Sequence, residues 1–274
     1  MKKILLAFDG SHFSEGVLDF SLRLHQLSPV FVSGVFLPQI DYSALWSRSG
    51  GGRSGSLYIP LVEDEDTNEV RTNMVRFENF CKNNKMDYRI HKDFFDFAVP
   101  ELKKESRFAD LLVISSQRFY EQAGTEEPND YLKEVLHDVE CPVVVVPEKF
   151  NFPNKNILAY DGKEESVFAI KQFAYLFPEL MNNETMLVYA TNKDEEIPNE
   201  ENMEELCRRH FRQLSIFRLG AEPKKAFPEW LKDKDDAIVI CGSFGRSAFS
   251  QLFHKSFISD VIKDHQFPVF VAHK

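Results

Sequence analysis

The chain has 274 residues, 43% of them hydrophobic and 28% charged, which places it with folded globular proteins rather than disordered or membrane-embedded ones. Its 33 Lys and Arg against 43 Asp and Glu leave a net charge of -10, so no broad basic field exists to gather nucleic acid or anionic lipid. The longest apolar runs, Pro142 to Pro147 and Phe267 to Ala272 among them, fall far short of the roughly 18 to 20 residues that cross a bilayer.

The length suits two domains of about 130 to 150 residues. The chain opens on "MKKILLAFDGS", where Asp9 interrupts the apolar run too early for a signal peptide, so the segment reads as a first strand and the protein as cytoplasmic. From there, short apolar runs bounded by turn residues alternate with segments of period near 3.6, the pattern of βα units on a parallel sheet. Strands are expected near residues 3–8, 30–37, 87–93, 110–115 and 142–147, then near 156–160, 185–190, 213–218, 237–241 and 268–272. Helices fill the intervals, for instance Ser14 to Gln26, Glu65 to Asn83, Ser166 to Phe177 and Phe257 to Asp264. A Gly- and Ser-rich segment, Ser43 to Pro60, reads as a surface insertion, with Arg48 and Arg53 as the residues able to approach an anion.

One module is written twice. "KKILLAFDGSHFSEGVLDFSLRL" from Lys2 lines up with "KNILAYDGKEESVFAIKQFAYLF" from Lys155, and "ADLLVISS" with "CPVVVVPEK" lines up with "DAIVICGS" with "FPVFVAHK". Domains are therefore expected over 1–148 and 155–274, joined by a linker near Glu148 to Asn154. The closing strands "PVVVV" and "PVFVA" would be exposed apolar edges, and pairing with or packing against one another covers both. The expected assembly is an intramolecular pseudo-dimer, with a homodimer of the chain as a further possibility.

Cys81, Cys141, Cys207 and Cys241 lie far apart with no CxxC pair, so they read as buried thiols rather than disulfides or metal ligands. No two of the eight histidines stand at metal-ligand spacing with an acidic partner. The acidic runs Glu63 to Asp66 and Asn192 to Glu205 lack the ligand alternation of a calcium loop and read as helix starts.

The stretch that carries chemistry is "CGSFGRSAFSQLFHKS", Cys241 to Ser256, directly after an apolar strand. Gly242 and Gly245 lack Cβ atoms, so backbone amides there are able to approach phosphate oxygens, and Ser256 opens a helix whose first amides favour an anion. Glycine also serves such turns for geometry alone. Asp161 at the tip of the second module's first strand has two readings, a ligand contact or a local Asp-Gly turn, and with the loop present the ligand contact is preferred; for Asp9, which has no such loop, the turn reading is preferred.

The spacing Gly242-x2-Gly245-x9-Lys255-Ser256, together with "KNILAYDG", resembles the nucleotide signature of the universal stress protein (UspA-like) superfamily, and the resemblance spans both modules. It implies a flavodoxin-like α/β fold in tandem, each sheet parallel and five-stranded in the order 3-2-1-4-5. It further implies ATP or AMP as ligand, accompanied by Mg2+ in some cases. Carried over by position, Asp161 meets the adenine or ribose side, and Tyr189 or Ala190 lines the base. Gly242, Ser243, Gly245 and Ser256 surround the ribose and phosphates, with the amide of Phe257 adding a contact. Lys255 departs from the family's third glycine: its Cβ keeps the backbone from the phosphate, or its ammonium offsets that by charge pairing. The first module keeps Asp9 but has no GxxG in "ISSQRFYEQAGTEEPNDYL", and is expected not to bind ATP in the family manner.

No Walker-type loop and no nucleophile elbow occurs, and His254 is the sole titratable base candidate near the loop, so no enzymatic activity is expected beyond slow ATP hydrolysis. A nucleotide-binding regulatory protein of the stress response and an interaction scaffold without ligand remain the two functional readings.

Overall fold

The computed structural model describes residues 1–9, 12–37, 64–91, 98–117, 130–190, 196–220, 223–242, 261–262 and 264–273. The first half contains β1 (Lys2–Asp9), α1 (Glu15–Leu27), β2 (Val30–Leu37), α2 (Asp64–Asn83) and β3 (Asp87–His91). It continues with α3 (Ala98–Ser106), β4 (Leu111–Ser115), α4 (Asp130–Asp138) and β5 (Val143–Val146). The second half contains β6 (Lys155–Tyr160), α5 (Glu164–Leu176), a 3-10 turn at Pro178–Leu180, β7 (Glu184–Ala190) and α6 (Glu200–His210). It ends with β8 (Gln213–Leu219), α7 (Pro223–Leu231), β9 (Ala237–Gly242) and β10 (Val269–Ala272). The insertion Ser43 to Pro60 lies outside the described residues, as does most of the helix expected over Phe257 to Asp264.

The ten strands among the described residues form one sheet in the order β3-β2-β1-β4-β5-β10-β9-β6-β7-β8. Each half is parallel and keeps the expected order, and the halves meet where β5 and β10 pair antiparallel, Val145 opposite Val269 and Val143 opposite Val271. The two runs that would have been apolar edges thus cover each other, and of the pairing and packing that the sequence leaves open it is pairing that occurs.

Central strands are buried on both faces because helices cover both, and their sequences are continuous apolar runs for that reason. Ile4 to Phe8 and Ile238 to Cys241 are all buried. The outer strands β3 and β8 alternate between exposed and half-buried residues, with Arg89 and Arg218 on the free edges.

Each face carries one continuous core across the junction. On one, Ile4, Leu6 and Phe20 of the first half share a cluster with Leu158, Phe173 and Phe270 of the second. On the other, Leu5 and Val145 join Ile157, Val239 and Val269. Phe270 of β10 packs edge-on against Phe173 and Phe177, with ring centres 5.3 and 5.9 Å apart.

The segment expected to be a linker is packed in place. Phe150 and Phe152 lie against Phe20 of α1, and the Asn151 amide donates to Asp236 Oδ1 at 2.8 Å. Lys2 reaches across the halves to the Leu176 carbonyl at 2.7 Å and to Glu179 at 3.0 Å.

Candidate functional site at the carboxyl edge of the second half

In each half the chain runs outward from its first strand to the second and third, then returns to the other side of the first. The crevice between the strands' carboxyl ends therefore opens between β1 and β4, and between β6 and β9, where open α/β sheets collect ligands. Because β5 and β10 are antiparallel, the two crevices lie on opposite edges of the sheet.

In the second half, Asp161 follows β6, Ala190 ends β7 and Gly242 ends β9. The register pairs Tyr160 with Tyr189 and Ala159 with Cys241, so the three candidate residues stand side by side at one edge. Ser243, Gly245, Lys255, Ser256 and Phe257, with His254, lie outside the described residues.

Asp161 is exposed, and its Oδ1 accepts from the Lys163 amide at 3.0 Å while Oδ2 stands 3.5 Å from the Lys163 ammonium. Gly162 follows at φ +82°, a conformation that favours glycine. This is the local Asp-Gly turn.

Tyr160 and Tyr189 make an aromatic floor beneath the edge, with ring centres 6.2 Å apart and both side chains buried. The Tyr160 hydroxyl donates to the Pro198 carbonyl at 2.7 Å, and burial raises its pKa, so the phenol is neutral. Beside them a cleft of about 490 Å³ opens between α5 and α6, lined by Tyr160, Lys163, Phe168, Lys171 and Met203.

Gly242 has a reason for being glycine that the sequence did not show. A Cβ there would stand 2.5 Å from the Ser166 nitrogen and 2.6 Å from the Glu165 oxygen, and would also run into the Glu165 carbonyl carbon. The first turn of α5 rests directly on the strand end, and only a residue without a side chain lets it. That contact sets the amino end of α5 beside the crevice.

Neither a family model nor a curated protein matches the chain in sequence. Solved structures do. A universal stress protein from Archaeoglobus fulgidus DSM 4304 is 16% identical, with 100% of this chain and 96% of that one covered at a TM-score of 0.73. The chain has the universal stress protein fold. A second structure with this fold, a putative universal stress protein from Pseudomonas aeruginosa UCBPP-PA14, is 12% identical over 99% of this chain and 93% of that one, TM-score 0.54. The cytoplasmic domain of a prokaryotic cation chloride cotransporter is 10% identical over 98% and 94%, TM-score 0.53.

Within the universal stress protein fold the first half's crevice is built differently. Glu148, which follows β5, turns its carboxylate inward: Oε1 accepts from the Ser115 hydroxyl at 2.8 Å and Oε2 from the Gly16 amide in the first turn of α1 at 3.3 Å. Sequence reasoning left Glu148 at the start of the linker. The signal was present in the internal repeat, where "PVVVVPEK" and "PVFVAHK" set Glu148 opposite Lys274, a reversal of charge. Strand pairing agrees, since Leu112 meets Val143 as Val239 meets Val269.

Among the described residues no group of His, Cys, Asp and Glu is placed to hold a metal ion. All four cysteines are free and buried. Burial pushes the thiols of Cys81, Cys141 and Cys207 up to about 12, and Cys241 is raised by burial as well. Among the described residues no helix is long and apolar enough to cross a membrane.

Proposed function

We propose that the chain is a UspA-like regulatory protein of the cytoplasm that binds an adenine nucleotide, ATP or AMP, in its second half. The observation that supports this most is the seating of α5 on Gly242 at the switch point, next to Asp161 and Ala190. An anion there meets the amino end of a helix. The loop that follows in sequence supplies Ser243, Gly245, Lys255, Ser256 and Phe257 as phosphate partners, with Mg2+ as a companion where ATP is the ligand.

The turn with Lys163 fixes the Asp161 carboxylate at the crevice, which lowers the ordering cost of a ligand contact. Tyr189 and Ala190 carry the base side. The protein acts by binding rather than turnover. The first half serves as an intramolecular partner whose crevice is not open to nucleotide.

Acid extraction of the purified protein, run against nucleotide standards, tests the reading: one adenine nucleotide per chain is expected, and none would favour a scaffold that works through its surface. Calorimetry of Gly245→Val should show ATP binding lost, and unchanged affinity would overturn the site. Lys255→Met should weaken ATP on the order of tenfold or more while sparing adenosine, if the ammonium pairs with phosphate. A stronger ATP affinity in Lys255→Gly would instead show that the Cβ obstructs the loop.

A further inference from the structure

We propose that Glu148 is the anion that the first half supplies to itself: its carboxylate fills the place at the β4 end and α1 amino end that a phosphoryl or carboxylate group from solution would otherwise take. The inference stands on the first half's own contacts and does not require the second half to bind nucleotide.

Three observations carry it. Both carboxylate oxygens are engaged, one by the Ser115 hydroxyl and one by the Gly16 amide, so the group is held as a bound anion is held. Its backbone is fixed as well: the Glu148 amide donates to Gln117 Oε1 at 3.2 Å, and the Gln117 amide donates to Ser115 Oγ at 3.2 Å. A Cβ on Gly16 would run into the Pro147 carbonyl oxygen, so α1 is pressed onto the chain that carries Glu148.

The second observation is access. Glu148 lines a cleft of about 750 Å³ together with the acidic Asp19, Asp235 and Asp236 and the basic Lys149, Lys232 and Lys234. A small anion from solution reaches the carboxylate's position through it. Glu15, on the same wall, is turned to Arg76 at 2.7 Å, which offsets its charge.

The third is the internal comparison. In the alignment of the two halves Gly242 takes the position of Ser115, and Lys274 that of Glu148. The sequence thus sets a hydroxyl and a carboxylate in one half against a glycine and a lysine in the other.

The test uses the full chain carrying Gly245→Val, so that the second half's loop does not contribute, with Glu148→Ala and Glu148→Gln added singly. Thermal melting is followed against inorganic phosphate or formate, with sodium chloride at matched ionic strength as control. Glu148→Ala should melt several degrees below its parent. About 50 mM phosphate or formate should raise it by about 3 °C more than it raises the parent, because only the variant has the place vacant. Glu148→Gln fills the space without the charge and should also melt below the parent, by about 2 °C or more. The proposal is overturned if phosphate and formate stabilise Glu148→Ala no more than chloride does. It is equally overturned if Glu148→Gln melts with the parent, which keeps the test decisive should Glu148→Ala not fold. Absence of nucleotide from the unmodified chain would count against the nucleotide reading alone and leave this outcome untouched.

Discussion

Replacing Gly242 by alanine probes the contact on which the candidate site is built. The added Cβ would stand 2.5 Å from the Ser166 nitrogen and 2.6 Å from the Glu165 oxygen, both backbone atoms that no rotamer change moves aside. Ordinary contacts lie near 3.5 to 4.0 Å, so the first turn of α5 must retreat by about 1 Å. Overpacking of this kind costs about 1 to 3 kcal/mol. For a chain of this size that is a fall in Tm of about 2 to 5 °C. Gly220→Ala is the control, because a Cβ there meets nothing within 4 Å; it should change stability by less than about 0.5 kcal/mol. Differential scanning calorimetry of the two variants beside the parent reads the difference. If Gly242→Ala melts with Gly220→Ala, α5 does not rest on the strand end and the account of the crevice fails. If it melts with the parent yet loses ATP, the glycine serves the ligand rather than the helix.

Phe270→Ala should cost about 3 to 5 kcal/mol, since the ring is fully buried against Phe173 and Phe177. Urea unfolding should still show one transition, shifted, because the cores are continuous across the halves; two transitions would mean that the halves unfold separately. The cysteines set an alkaline limit. Their folded pKa values, about 12 for Cys81, Cys141 and Cys207, lie above the ordinary 9.0, so the fold holds these protons more tightly than the unfolded chain does. Their contribution is complete below about pH 9 and is lost as the pH rises toward 12. The urea midpoint should be level near neutral pH and fall above about pH 9, less steeply in Cys81→Ala, and an equal fall in that variant would refute the assignment.

Much of the architecture was legible in the residues. β6 was expected at 156–160 and runs from Lys155 to Tyr160; β9 was expected at 237–241 and runs from Ala237 to Gly242. A strand buried on both faces must be apolar throughout and must stop at polar turns, so its bounds are written locally. Helix starts were similarly plain where a cap marks them: Ser14 accepts from the Val17 amide at 3.2 Å and α1 begins at the next residue. α5, which has no side-chain cap, begins at Glu164, two residues before its expected start. The acidic run before Glu205 does open a helix, with Glu200 and Glu201 in its first turn.

Other features depended on what lies across the fold. The amino acid Gly242 is explained by the backbone of residues 165 and 166, far from it in sequence, and the Gly-x2-Gly spacing cannot tell that cause from a phosphate loop. Glu148 reads as a linker residue until Ser115 and Gly16 are brought to it by β4 and α1. The composition of the chain determined a parallel α/β sheet written twice, because burial imposes a local pattern on each strand and helix. Which glycine yields to a helix, and which carboxylate fills an anion's place, was decided only in the tertiary structure, because both depend on contacts between residues that the sequence keeps apart.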